Sequence, residues 1–295
     1  MTEKMNLHDA SKKGKLSTVK RLLKGNVNNI DKLDDSGWTP LHHASLNGHT
    51  QVVSMLIDAG ANTNAKILAQ DNSTALHKAV DRKHAEVAAL LLDKGADITA
   101  TDVKGNTPLH FAALSSSATC CELLLRYGAD VNLKSIRGQS PLYLAAINGD
   151  ESTIRLLIES GANVNQQDNV GWTPLHACIS DAPQSVDLFL AYNANPNTTD
   201  CVNSTPLHDA AARGENDAVM SLLKKGVNVN MRGYEGKIPL HGAAESGHLE
   251  VVKTLLEHKS EINVKDANNR TPLELADIVG YDLVVEYLRR AASDQ

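Results

Sequence analysis

Large aromatic side chains are scarce in this chain: two Trp, six Tyr and two Phe among 295 residues, or 3%. A single thick core is usually filled with such rings, whereas thin layers of Ala and Leu do not need them. Cysteine is equally sparse. Cys120, Cys121, Cys178 and Cys201 form no CxxC pair and have no companion His spacing, which excludes a zinc-ligand pattern and a disulfide framework and fits a reducing compartment. Long apolar runs are missing; the longest, Val87–Leu92, is far below the ~20 residues needed to cross a bilayer. The N-terminal MTEKMNLHDASKKGK has no apolar segment of signal-peptide type. Positive charge is not in excess: 29 Lys and Arg against 35 Asp and Glu give a formal −6, which argues against a general nucleic-acid or anionic-membrane binder. With 42% apolar residues, wholesale disorder is also excluded. These features together describe a soluble, cytoplasmic or nuclear chain.

What is present is a repeat. Thr-Pro-Leu-His begins at Thr39, Thr107, Thr173 and Thr205, with variants at Thr74, Ser140, Ile238 and Thr271 and a degenerate copy at Met5. The starting positions 5, 39, 74, 107, 140, 173, 205, 238 and 271 are spaced by 32 to 35 residues. Nine copies tile 1–295 as one repeat domain, the first and last serving as caps. Each copy has one internal order. Thr is placed to cap a first helix and Pro to open it. Ala pairs such as Ala112-Ala113, Ala145-Ala146 and Ala243-Ala244 keep that helix slim. Gly48, Gly149, Gly214 and Gly247 stand where it must stop. A second helix follows with an apolar stripe, as in Val52, Met55 and Leu56. Gly60, Gly95, Gly128, Gly161 and Gly226 end it, and a V-N-x-x-D tail leads to a turn at Gly37, Gly105, Gly138, Gly171 or Gly236, read as a projecting β-hairpin finger.

This order and wording resemble the ankyrin repeat. The resemblance implies an all-α solenoid of stacked helix-turn-helix units with hairpin fingers. It also implies a concave groove, lined by first helices and fingers, in which another protein binds. The residues expected to face it include Trp38, His43, Leu46, Lys78, Arg82, Phe111, Leu114, Leu144, Ile147, Trp172, Arg213 and Arg270, with Ser73 and Asp209 among their neighbours in register. Phe111, Leu114, Leu144 and Ile147 read as an apolar patch, with Lys78 and Arg82 on one side and Trp172 on the other. An apolar centre with charged and aromatic flanks suits an amphipathic helix or an extended segment.

Departures from the pattern are few. The finger Lys66–Asp71 carries two extra residues, and Ile67 and Leu68 there either touch a partner or fold back on the next finger. Asp181-Ala182-Pro183 replaces a Gly-His turn, and Pro183 is expected to start the second helix. Asn193 and Lys259 stand where Gly is usual; Lys259 should cost about 1 kcal/mol and make its repeat the first to fray. The basic stretch at the start, Lys4 to Lys24, has two readings: a solvated cap, or a contact for an acidic partner or lipid headgroup.

Enzymatic motifs are lacking: there is no G-x-S-x-G, P-loop or G-x-G-x-x-G. His42, His77, His110, His176, His208 and His241 recur once per repeat, where the resemblance implies hydrogen bonds to backbone between units. Ligands spread one per layer do not converge on a metal. Asp34, Asp102, Asp168, Asp200 and Asp266 recur at the repeat period as turn makers. Cys120, Cys121 and Cys178 fall on core positions, and Cys201 on a fingertip. The resemblance further makes Asn64, Asn132, Asn165, Asn197, Asn230 and Asn263 candidates for asparaginyl hydroxylation, against a simpler role bracing the fingers. The expected function is a non-catalytic, monomeric scaffold or adaptor that binds a protein and takes no cofactor. The alternative is a substrate-recognition or regulatory subunit of a ubiquitin-ligase or signalling complex, although no SOCS or F-box segment is visible. An enzyme is the third and least supported reading.

Overall fold

A computed structural model of the chain describes residues 5–25, 29–67 and 71–293. Within them every ordered element is helical, and no strand occurs. The helices come in pairs, such as Pro40–Leu46 with Thr50–Asp58, Ala75–Asp81 with Ala85–Asp93, Pro108–Leu114 with Ala118–Arg126, and Pro206–Arg213 with Asn216–Lys224. Contacts group the chain into two compact units. The first comprises Met1–Ala145 and Ser152–Ala162; the second comprises Ala146–Glu151 and Asn163–Gln295.

Local chemistry sets each first helix. Thr39 has extended backbone at the N-cap, and its hydroxyl accepts from the His42 N–H at 3.3 Å. The Thr39 N–H donates in return to His42 Nδ1 at 3.2 Å. This is a capping box in which imidazole takes the place of the usual Glu. Because Nδ1 accepts from an N–H, the ring is neutral with its proton on Nε2, and that proton goes to the Ala65 carbonyl at 3.0 Å. The same arrangement ties His77 to the carbonyl of Asn106, His110 to Gln139, His208 to Lys237 and His241 to Arg270. Each ring therefore caps a helix and fastens the finger that leads to the next repeat. His176 makes the cap, but its Nε2 is buried without a hydrogen-bond partner. Burial pushes His42, His77 and His176 down to about 4, and it also lowers His110, His208 and His241.

The turn between paired helices shows a second coupling between repeats. Gly48 has φ +70°, and a Cβ built on it would lie 2.7 Å from the His84 ring. His84 comes from the following repeat and donates Nε2–H to the Leu46 carbonyl at 3.1 Å. Gly14 meets His49, Gly214 meets His248 and Gly247 meets Tyr281 in the same manner. Where the next repeat carries Ser117 at the ring position, the turn holds Lys83 at φ 60°. Glycine is thus required by the incoming ring as well as by the left-handed backbone.

The core is Leu, Val, Ile and Ala, with Phe189 the largest fully buried side chain. The paired alanines are buried as expected, and so are Cys120, Cys121 and Cys178; Cys201 is exposed. The fingers are present as short turns. Asp34 Oδ1 accepts the N–H groups of Ser36 and Trp38, both at 2.9 Å, and one backbone pair joins Asp34 N–H to the Trp38 carbonyl. Asp102, Asp168, Asp200 and Asp266 close their fingers in the same way, the Ser135 hydroxyl takes the carboxylate's place in another, and the backbone bonds in each are too few rungs to make a strand. Neighbouring tips are joined by one bond each, such as Ile136 N–H to the Lys104 carbonyl at 2.8 Å and Cys201 N–H to the Val170 carbonyl at 2.9 Å. Pro183 opens a 3-10 turn, Pro183–Ser185, ahead of the helix Val186–Ala191. Asn193 and Lys259 adopt φ 62° and 67°.

Of the two readings of Ile67, contact with a partner or folding back, burial removes the first: the side chain is fully buried, with its N–H bonded to the Ser73 carbonyl at 3.0 Å. The extra residues let the finger fold its apolar side chain inward, which removes apolar surface from water. Leu68 lies outside the described residues, as does Lys4 of the basic stretch.

Candidate protein-interaction surface

In the first compact unit, two groups of the expected surface residues assemble. Trp38 stacks on His43, with centroids 5.1 Å apart and rings at 30°, and His8 meets His43 edge-on at 6.1 Å. His43 Nε2 donates to Asp34 Oδ2 at 2.7 Å. Partial burial alone would raise the Asp34 carboxyl, but the bonds from His43, Trp38 and Ser36 outweigh it and hold the group below its usual range. Lys78, expected as an exposed cation, is 9% exposed. Its Nζ lies 5.1 Å from the Trp38 ring centroid and 2.9 Å from Asp71 Oδ2. Asp71 is pulled down to about 2: burial opposes the shift, and hydrogen bonds from the Ser73 hydroxyl and Lys78 overcome it. Lys78 is therefore committed to its own protein, through a cation–π contact and an ion pair. Register alone does not reveal this, because Asp71 belongs to the irregular finger. Arg82 remains exposed, beside Asp81 at 3.6 Å.

The second group is apolar. Phe111, Leu114 and Leu144 line a cleft of about 240 Å³ with Asp71, Asp102, Lys104 and Asn106 at its edges. Phe111 packs edge-on against His77 at 5.1 Å, and Leu114 is 48% exposed. Leu144 is 7% exposed, so it forms a wall of the cleft and does not project from it. Ile147, in the second compact unit, is half-buried. Leu46 is also half-buried.

In the second unit, Trp172 stacks on His176 at 22° and donates Nε1–H to Asp200 Oδ2 at 3.4 Å. Arg213 is exposed and reaches the Ser180 carbonyl at 3.4 Å. Arg270 is held by Asp266 at 2.8 Å and approaches Glu235 at 3.9 Å. Sequence reasoning gave Asp209 no special place, yet its Oδ2 is buried without a partner. Burial first, then the nearby Asp200, drives this carboxyl up to about 7, with Arg213 opposing. The folded state thus binds this proton more tightly than the unfolded chain, and the contribution of Asp209 to stability falls as pH rises from about 4 through 7. Asp209→Asn should therefore stabilise the protein by roughly 1–3 kcal/mol at pH 8, and the gain should vanish near pH 4; urea midpoints at the two pH values measure it.

Four of the candidate Asn side chains bond the turn that follows the second helix of the next repeat. Asn64 Nδ2 donates to the Gly95 carbonyl at 3.3 Å while its Oδ1 accepts from Asp97 N–H at 2.7 Å. Asn132 reaches the Gly161 carbonyl, Asn165 accepts from Asn195 N–H, and Asn230 reaches the Lys259 carbonyl. Asn197 and Asn263 are exposed. Among the described residues no group of three or more His, Cys, Asp or Glu could hold a metal ion, and no helix is long and apolar enough to cross a membrane.

The family model described as "Ankyrin repeats (3 copies)" matches residues 7–102, 109–200, 177–266 and 207–294. The chain belongs to the ankyrin-repeat family. The crystal structure of the human ASB11 ankyrin repeat domain superposes with a TM-score of 0.64 at 27% identity, covering 69% of this chain and 92% of that one. Cattle ankyrin repeat domain-containing protein 49 is 43% identical over 56 residues, 19% of this chain and 24% of that protein. Human protein phosphatase 1 regulatory subunit 27 is 41% identical over 59 residues, 20% of this chain and 38% of that protein. The Dictyostelium discoideum 26S proteasome non-ATPase regulatory subunit 10 is 39% identical over 59 residues, 20% of this chain and 25% of that protein. The alignment spans about a quarter of the length of the cattle relative. Ankyrin repeats generally mediate protein–protein interaction and are generally non-enzymatic.

Proposed function

We propose that this ankyrin-repeat protein is a non-catalytic adaptor that binds a partner protein through the first compact unit, at the cleft walled by Phe111, Leu114 and Leu144. The observation that carries the reading is the cleft itself: an exposed apolar centre bounded by Asp71, Asp102 and Lys104. A partner side chain that fills it removes apolar surface from water, and the charged edge fixes its orientation. An amphipathic helix or an extended apolar segment suits that shape. Lys78 is spent on Asp71 and Trp38, which leaves Lys104 at the cleft and the exposed Arg82, paired with Asp81 at 3.6 Å, as cations of this unit that solvent or a partner can reach.

The test is proximity labelling to find the partner, followed by affinity measurement on surface variants. Leu144 is unsuitable for charge substitution, because a carboxylate at a buried wall would unfold the site. Phe111→Ala with Leu114→Glu, by contrast, alters half-buried and exposed side chains. This pair should weaken partner binding by at least about 2 kcal/mol, some thirtyfold, while urea stability moves by much less. Unchanged affinity in the double variant would remove the cleft as the contact.

A regulatory subunit of a larger assembly, such as a ubiquitin ligase or signalling complex, is the second reading. It is favoured by two relatives that are named as regulatory subunits, one of the proteasome and one of protein phosphatase 1. Recovery of a stable multi-subunit complex at native stoichiometry would select it over a simple adaptor.

A further inference from the structure

In the first compact unit a Trp, a finger carboxylate and a cation form one set: Trp38, Asp71 and Lys78, the cation lying over the ring and 2.9 Å from the carboxylate. The second unit repeats the Trp in the same register, Trp172, and again sets a carboxylate of the following finger beside it, Asp200, which stands five residues before its capping Thr where Asp71 stands three before, with the indole N–H on the carboxylate. At the register position of Lys78, directly after the capping His, it carries Asp209. The set therefore has two carboxylates and no cation of its own.

The surroundings leave room for one. Asp209 lines a cleft of about 170 Å³ whose other walls include Tyr234, Lys237, Gly242 and Glu245. Gly242 occupies the position of Asp209 in the next repeat; a Cβ there would come 3.3 Å from Ala212, so glycine keeps this side open. The Tyr234 ring is 56% exposed at the rim. Among the charged groups around Asp209, Lys237 is paired with Glu245 at 2.7 Å, and Arg213 extends to the Ser180 carbonyl. His208 is neutral, with Nδ1 accepting from Thr205 N–H and Nε2 donating to the Lys237 carbonyl. Asp200 adds negative charge. Asp209 Oδ2 is left with no hydrogen bond, which costs free energy unless a donor arrives.

We propose that the Asp209 cleft is a receptor for a cationic side chain, the guanidinium or ammonium of a basic segment in a bound protein, which supplies there what Lys78 supplies internally in the first unit. A guanidinium meets the site's needs best: it gives two N–H donors to one carboxylate and lays a flat face against the Tyr234 ring. Because the Asp209 carboxyl is pushed up to about 7, it ionises across the neutral range, and an incoming cation favours the ionised form.

N-acetyl-arginine amide, titrated into the ¹⁵N-labelled full chain, tests this without any natural partner and without the Phe111 cleft. The amides of Asp209, Tyr234 and Gly242 should shift saturably. Uncharged N-acetyl-citrulline amide should bind at least tenfold more weakly. Affinity for the arginine probe should rise about tenfold from pH 6 to pH 8 as the carboxylate fraction rises. Asp209→Asn should abolish the three shifts while leaving the remaining spectrum dispersed. The proposal is overturned by equal response to the citrulline probe, by persistence of the shifts in the Asn variant, by pH-independent binding, or by no saturable shift up to ~50 mM probe, a range that reaches weak millimolar complexes.

Discussion

Gly48→Ala should destabilise the protein by about 3 kcal/mol, while Gly60→Ala should cost only 1–2 kcal/mol. Both glycines have positive φ, +70° and +97°, so the backbone penalty for an L side chain is shared. They differ in what the new methyl meets. At Gly60 nothing lies within 4 Å; at Gly48 the His84 ring is 2.7 Å away. The ring must move, and its Nε2 bond to the Leu46 carbonyl is lost with it, about 1 kcal/mol net for the bond and a further 1 kcal/mol or so for overpacking. A double-mutant cycle isolates the contact. With His84→Ala already present, Gly48→Ala should cost no more than Gly60→Ala, giving a coupling of about 1–2 kcal/mol. Urea midpoints and hydrogen exchange of the helices Pro40–Leu46 and Ala75–Asp81 would measure it. Equal costs at Gly48 and Gly60, or additive behaviour in the cycle, would show that the ring does not clamp the turn. The same contact recurs at Gly214 with His248, so the coupling is a property of the repeat. In a stack stabilised by nearest-neighbour terms, it is one of the terms that joins neighbours.

These features were legible in the sequence to different depths. Thr39 as cap, Pro40 at the first turn and the left-handed glycines follow from chemistry acting within three or four residues, and all are where the spacing puts them. The coupling of Gly48 to His84 has a sequence signature too, since Lys83 appears where the next repeat lacks the ring, but it shows only when adjacent repeats are compared. The surface was harder to read. Lys78 looks like a free cation until Trp38 and Asp71 are seen around it. Leu144 looks exposed in register but is a buried wall, and Ile67 turns inward because its finger is longer. Asp209 is conspicuous only against Gly242 and Asp200, which lie about 33 residues ahead and nine behind. Burial at each of these positions is decided by a neighbouring repeat or finger, which a single-repeat pattern does not record.

Acid should unfold this protein well before its carboxylates are fully protonated. His42, His77 and His176 sit at about 4 in the folded chain against 6.5 in the unfolded one, and burial lowers His110, His208 and His241 as well. In each of these six His caps Nδ1 already accepts a backbone N–H, so a proton there displaces the cap, and a charged ring would lie in a buried layer. Between pH 6.5 and 4 the unfolded state binds more protons than the folded one, so stability rises with pH throughout that window and levels off above it. At pH 5 each of the first three rings costs about 2 kcal/mol relative to pH 7.5. Their sum, about 6 kcal/mol, is comparable to the whole stability of a typical domain. Asp209 opposes the trend, since its raised pKa makes the folded state the better proton binder between about 4 and 7; its contribution offsets one or two rings. Asp71, pulled down to about 2, adds a further loss only below pH 4. The urea midpoint should therefore drop steeply from pH 6.5 to 5, and Asp209→Asn should steepen the drop because the opposing group is gone. His Cε1–H resonances of His42, His77 and His176 should show no titration above pH 5 while the protein stays folded, and those of His110, His208 and His241 should titrate below the free imidazole. A midpoint that is flat across pH 5 to 7.5, or capping rings that titrate near 6.5 in the folded state, would mean that the boxes tolerate imidazolium, and the neutral ring would no longer be what fastens one repeat to the next.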